Sequence, residues 1–177
     1  MPYETTVAVP LGARFPTASI DWKALGRAYL FFWYFSGVTH VLLVSSGATD
    51  FSPLRHGILD SLLWLIPMLL FPRQGLRIAG AVGLVLWACS LASLGYFAIY
   101  RQEFSQSVLF IAFESNPAEA GEFVANYFAW WMIPALLAYS AGALWLWRRL
   151  RPLTVPRRAA WLLSLAIVIL IALPGIY

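Results

Sequence analysis

The sequence predicts an all-α membrane protein with five transmembrane helices, its N-terminus in the cytoplasm and its C-terminus outside. Three observations carry this. Of the 177 residues, 61% are hydrophobic and only 11% are charged, whereas a soluble domain carries about 25% charged residues. The apolar residues gather into five continuous runs, each close to the roughly 20 residues that a bilayer crossing needs. The Lys and Arg residues fall almost entirely in alternate connections between those runs, which is the pattern that fixes orientation in a membrane.

Taken in order, the stretch before Ser19 holds Pro2, Pro10 and Pro16, which argue against a regular helix there. Its polar and mixed composition does not read as a cleavable signal peptide, and no small-residue cleavage motif follows the first apolar run cleanly. Residues 20–27 read as a short interfacial lead-in. Spans are predicted near Ala28–Ser46, Pro53–Phe71, Ile78–Tyr100, Tyr127–Trp147 and Ala159–Ile176. The second has Ser52 as a plausible N-cap and Pro53 at the first helical position. Amides cannot stay unpaired in hydrocarbon, so the runs are read as helices. A barrel would need short alternating strands, and these runs are continuous.

Orientation follows from the basic residues. With the N-terminus inside, Arg14, Lys23, Arg27, Arg73, Arg77, Arg148, Arg149, Arg151, Arg157 and Arg158 lie inside, and Arg55 and Arg101 outside. Asp50, Glu103, Glu114, Glu119 and Glu122 then fall outside, with Asp60 near the outer end of the second span. The net charge of +4 is spread over these short connections, which excludes a nucleic-acid footprint. Nine Trp, eight Tyr and twelve Phe suit aromatic belts at the two interfaces. No internal repeat supports a transporter built of inverted halves. The chain stops at Tyr177 as the fifth span ends, with no polar tail. That suggests a longer protein whose next part begins outside; the alternative is a small five-span protein.

The connection between the third and fourth spans is the most informative segment. Residues 108–113 are apolar but too short to span, and suggest a short helix in the outer interface. Asn116-Pro117-Ala118-Glu119 has N-cap, first-turn proline and capping-box spacing, so a helix is predicted to start at Pro117 and to lead toward the fourth span. Glu119 then has two compatible readings, a cap for the Asn116 amide and a substrate contact. Glu119 and Glu122 share a helix face and would repel unless solvated or facing a cation. A zwitterionic headgroup supplies such a cation, with Tyr127, Trp130 or Trp131 offering a ring face. Those aromatics equally fit an interface belt. Ser115, just before the helix start, is placed to donate to a phosphate oxygen, where free helix amides also favour anions.

Phe113-Glu114-Ser115-Asn116-Pro117-Ala118-Glu119-Ala120-Gly121-Glu122-Phe123, with the preceding Ser105-Gln106-Ser107-Val108-Leu109-Phe110, resembles a motif of bacterial phosphoethanolamine transferases that modify lipid A or the lipopolysaccharide core. In that family the segment lies between the third and fourth of five N-terminal helices. The resemblance implies a multi-pass protein of the bacterial inner membrane, holding phosphatidylethanolamine as donor lipid through Ser115 and Glu119; Glu114, grouped with them at the helix start, joins them as a candidate substrate contact. It also implies a zinc-dependent periplasmic domain, following the fifth helix and absent from this chain, as a further partner. Some members use an Asn four positions before the Ser115 site; Ile111 stands there, which points to another acceptor.

No cofactor is expected within this chain. His40 is mid-span and reads as a packing or hydrogen-bonding residue. His56 and Asp60 share a face at i,i+4 with no third ligand in view for zinc. Cys89, the one cysteine, reads as packing. Ser36, Thr39 and His40 are too few to draw a channel. The leading expectation is therefore a membrane anchor presenting donor lipid, inactive by itself. The alternative is a non-enzymatic membrane subunit that binds a partner through its acidic loop.

Overall fold

The computed structural model describes residues 19–105, 108, 110, 121–122, 125–127 and 129–173. Its elements are α1 (Trp22–Ser45), α2 (Ser52–Leu63), α3 (Leu65–Leu70), α4 (Gly75–Tyr100), α5 (Met132–Arg148) and α6 (Arg157–Ala172), and no strand occurs among the described residues. Two helices, α1 with 24 residues and α4 with 26, are long and apolar enough to cross a membrane. With 17 and 16 residues, α5 and α6 reach about 26 and 24 Å at 1.5 Å per residue.

The helix boundaries correct several expectations, each for a local reason. The lead-in is not a separate element. Asp21 Oδ1 accepts from the Ala24 amide at 3.0 Å, and this cap starts α1 at Trp22. The second run is not one helix but two, interrupted at Trp64. Pro67 has no amide hydrogen for the Leu63 carbonyl, and its ring crowds that carbonyl. Phe51, rather than Ser52, occupies the N-cap position of α2, with no side-chain cap bond; a proline does stand in its first turn. Nor does the loop run as unbroken helix into α5. Residues 125–127 are helical, Ala129 is not, and Trp130–Trp131 form a turn. Pro134 imposes this, because its ring would meet the Trp130 carbonyl in a continuous helix. At the other end of the loop, Arg101 adopts φ 56 and its amide bonds the Phe97 carbonyl at 2.9 Å, closing α4.

The core is built on α1, which packs against α2, α3, α4 and α5, while α6 lies against α2 and α3. Phe31 meets Phe32 and Phe35 edge-on, with centroids 5.3 and 5.2 Å apart, and lies 5.8 Å from Trp147. Gly83 of α4 lets this cluster in, because a Cβ there would overlap the Phe31 ring. Several polar groups in the interior bond across helices, while Trp33 Nε1 and Ser164 Oγ are buried without a hydrogen-bond partner among the described residues. Tyr34 donates to the Tyr139 carbonyl at 2.9 Å, Tyr139 donates to Ser90 Oγ at 2.7 Å, and the Trp87 indole donates to Ser140 at 3.1 Å. Large apolar side chains point outward, among them Leu84, Trp161 and Leu162, the last 67% exposed. Water would drive such a surface to associate; hydrocarbon accepts it.

Candidate functional site

The α1–α2 hairpin turns at residues 46–51, with Gly47 at φ 73. Going down from that turn, polar or small residues meet across the two helices at steps of four residues on each. His40 faces Gly57, where a Cβ would come within 3.1 Å of His40 Nδ1. Ser36 faces Ser61, with the hydroxyl oxygens 3.1 Å apart. The glycine thus brings the helices close enough for the serine pair to form. His40 Nδ1 lies 2.8 Å from the Ser36 carbonyl. A carbonyl can only accept, so Nδ1 carries the hydrogen.

Beside this seam a cavity of about 450 Å³ opens, lined by Phe32, Ser36, His40, Pro53, His56, Gly57, Asp60, Ser61, Trp64, Leu86 and Glu103. A second cavity of about 280 Å³ shares Ser36, His40, Leu86 and Glu103 and adds Thr39, Cys89, Ser90 and Ser93 among others. Together they form a cleft between α1, α2 and α4, mainly apolar in its walls with a few polar side chains among them. Glu103, just beyond the end of α4, contributes to both parts. Asp60 lies deeper, about 12 Å along the axis from Ser52 at 1.5 Å per residue. Neither carboxylate has an ion-pair partner among the described residues. No three His, Cys, Asp or Glu side chains converge closely enough to hold a metal ion among the described residues. On another side of α1 and α4, an apolar groove of about 630 Å³ runs to α5, lined by Tyr34, Leu42, Leu94, Leu136 and Trp131, with Arg101 among its walls.

The sequence-predicted site residues Glu114, Ser115 and Glu119 lie outside the described residues, as do Asn116 and Pro117. Of their neighbours, Glu122 is exposed, Tyr127 stands 6.2 Å from Tyr100, and Trp130 is 79% exposed. The structure brings together residues that had been read one helix at a time: Ser36 and His40 from α1, His56, Asp60 and Ser61 from α2, and Glu103 from the loop. A signal for this existed. Ser36 and His40, His56 and Asp60, and Gly57 and Ser61 are each four apart, on two helices joined by one short turn.

Fold and cleft define a helical, membrane-type region with a pocket that sets a few polar side chains among apolar helices. Its relatives are phosphoethanolamine transferases. The chain is 47% identical over 147 residues to phosphoethanolamine transferase EptC of Escherichia coli strain K12, covering 83% of this chain and 26% of that protein. It is 46% identical over 149 residues to phosphoethanolamine transferase CptA of Salmonella typhimurium, covering 84% of this chain and 26% of that protein. The chain thus spans about a quarter of the length of the curated relatives it matches. No family model matches it. No solved structure matches it.

Proposed function

We propose that this chain is the N-terminal membrane region of a phosphoethanolamine transferase, which anchors the enzyme in the bacterial inner membrane and presents phosphatidylethanolamine to it. The observation that carries this reading is the 46–47% identity to enzymes of that name over more than four fifths of the chain. In this reading α1, the interrupted pair α2–α3, α4, α5 and α6 are five spans, with the N-terminus in the cytoplasm. The two helices of crossing length and the outward apolar surface support it. The distribution of Lys and Arg sets its direction. The loop carrying Glu114, Ser115 and Glu119 then faces the periplasm and binds the donor headgroup. The zinc-dependent chemistry belongs to a further periplasmic domain, and the acceptor is a cell-envelope glycolipid such as lipid A or the lipopolysaccharide core.

The test is a chimera in which this chain replaces the matching region of the Escherichia coli enzyme, expressed in a strain lacking its own copy. Phosphoethanolamine on the envelope glycolipid is read by mass spectrometry. The chimera is expected to transfer, and Ser115→Ala with Glu119→Ala to lower transfer without lowering insertion. A chimera that inserts normally but transfers nothing refutes the reading. Unchanged transfer by the double variant refutes the loop as the donor site.

A further inference from the structure

The connection from α5 to α6 gathers positive charge that no carboxylate answers. Arg148, Arg149, Arg151, Arg157 and Arg158 fall within eleven residues, and all five are exposed. None has an ion-pair partner among the described residues, and the sequence holds no Asp or Glu after Glu122. Among the described residues, the acid at this end is Asp21, whose Oδ1 accepts from the Ala24 amide. Like charges repel, and a loose connection would let them spread. This one is fastened to the bundle. Leu153 is buried, Leu150 and Val155 pack against the core, and the Asp21 amide donates to the Thr154 carbonyl at 3.4 Å. Arg149 is held over the Trp145 ring, 4.5 Å from its centroid. The apolar side of the connection is pinned, and the arginines are kept together on its other side.

Two indoles place this surface in depth. Trp145 and Trp161 are 55% and 58% exposed, and each lies one helical turn inside an arginine, Arg149 and Arg157. Exposed indoles next to cations at the ends of apolar helices mark the headgroup level of a bilayer. The guanidinium groups then lie among phosphates, whose oxygens match their paired N–H donors. The ammonium of a zwitterionic lipid meets only like charge here, so a lipid of net negative charge is favoured.

We infer that the α5–α6 connection is a docking surface for anionic phospholipid, with Arg149, Arg151, Arg157 and Arg158 as counter-charges to its phosphate. Basic clusters of this size beside a membrane helix attract anionic headgroups. The inference goes beyond the proposed function: this lipid is held as an anchor and is not the substrate. That α5 and α6 span the bilayer, and that the leaflet concerned is cytoplasmic, rest on that reading.

The experiment uses the purified chain with a photoreactive benzoylphenylalanine in place of Thr154, in nanodiscs of equal phosphatidylglycerol and phosphatidylcholine with identical acyl chains. Both leaflets have the same composition, so the readout does not depend on orientation. The ratio of the two lipids captured is read by mass spectrometry, and the same probe at Gln102, beyond the other end of α4, gives the reference. Capture at position 154 is expected to favour phosphatidylglycerol by about fivefold over the reference, and less so in molar salt, which screens exposed charges. Arg149→Gln with Arg151→Gln and Arg158→Gln is expected to remove most of the preference, while lysine at the same three positions retains most of it. Equal melting temperatures identify variants that fold. A folded glutamine variant with the wild-type ratio overturns the assignment. So does an equal loss in Arg73→Gln with Arg77→Gln, which would make the preference a property of the whole end of the bundle. Loss of the preference in millimolar glycerol phosphate, at constant ionic strength, would assign the arginines to a soluble phosphate and overturn the lipid. Equal capture of both lipids at position 154 overturns the inference and leaves the proposed function standing. Capture of neither lipid at either position overturns both.

Discussion

Gly57 is a point of close approach between α1 and α2 beside the cleft, and a size series there tests the geometry. A Cβ at this position would lie 3.1 Å from His40 Nδ1 and 3.3 Å from both Cβ and Oγ of Ser36. Gly57→Ala therefore needs its neighbours to yield by a few tenths of an ångström. Against that stands the helix propensity gained over glycine, about 0.8–1 kcal/mol. The two nearly cancel, so the alanine variant is expected within about 1 kcal/mol of wild type. Gly57→Val adds two methyl groups where His40 and Ser36 already sit. Overpacking of this kind costs about 1–3 kcal/mol. Pushing the helices apart also separates Ser36 from Ser61, a bond of 3.1 Å worth about 0.5–1.5 kcal/mol. The valine variant is expected to lose about 2–4 kcal/mol in all. Unfolding of the purified chain in mixed micelles, followed by circular dichroism against the fraction of denaturing detergent, measures both. Gly95→Val in α4 is the control, because nothing lies within 4 Å of a Cβ there. If Gly57→Val unfolds together with Gly57→Ala and Gly95→Val, the helices do not approach at Gly57. The description of the cleft would then be wrong.

Two more outcomes are expected. Asp21→Ala removes the side-chain bond to the Ala24 amide and is expected to cost about 0.5–2 kcal/mol in the same unfolding assay, with Asp21→Asn recovering most of it; equal stability of the alanine variant would show that the cap contributes nothing. Gln102→Cys, just past α4, is expected to react with a membrane-impermeant thiol reagent in intact spheroplasts, when Cys89 is replaced by Ala; reaction only after the membrane is permeabilised would reverse the proposed orientation.

Helix existence was legible in the sequence because it follows from composition: runs this apolar have no other way to pair their amides in a bilayer. Helix boundaries were legible only where a residue acts alone. Arg101 ends α4 where the apolar run ends, as expected. Pro67 and Pro134 act on carbonyls four residues back, at Leu63 and Trp130, inside runs whose hydropathy shows no interruption. Averaging over apolar character hides both, and Asp21 likewise starts α1 inside a stretch read as a mixed lead-in. The cleft was less legible still. Its residues are scattered over three helices and a loop, and each helix alone holds too few polar groups to imply a path. Only the pairing across the turn, His40 with Gly57 and Ser36 with Ser61, makes them one wall.

Polar groups inside an apolar bundle are of two kinds here, and hydrogen bonds separate them. Thr39 donates to the Phe35 carbonyl, Ser61 to that of Gly57 and Ser90 to that of Leu86. Each is a hydroxyl bonded to the turn before it on its own helix, so its desolvation is answered locally and it asks nothing of the cleft. Asp60 and Glu103 cannot do this. A carboxylate has no hydrogen to give a carbonyl, and the amides of a helix interior are already taken by its own ladder. Both side chains are exposed, so water reaches them. The serines and the threonine are therefore parts of the helix seam, while the carboxylates stand at the open, solvated side of the cavities they line.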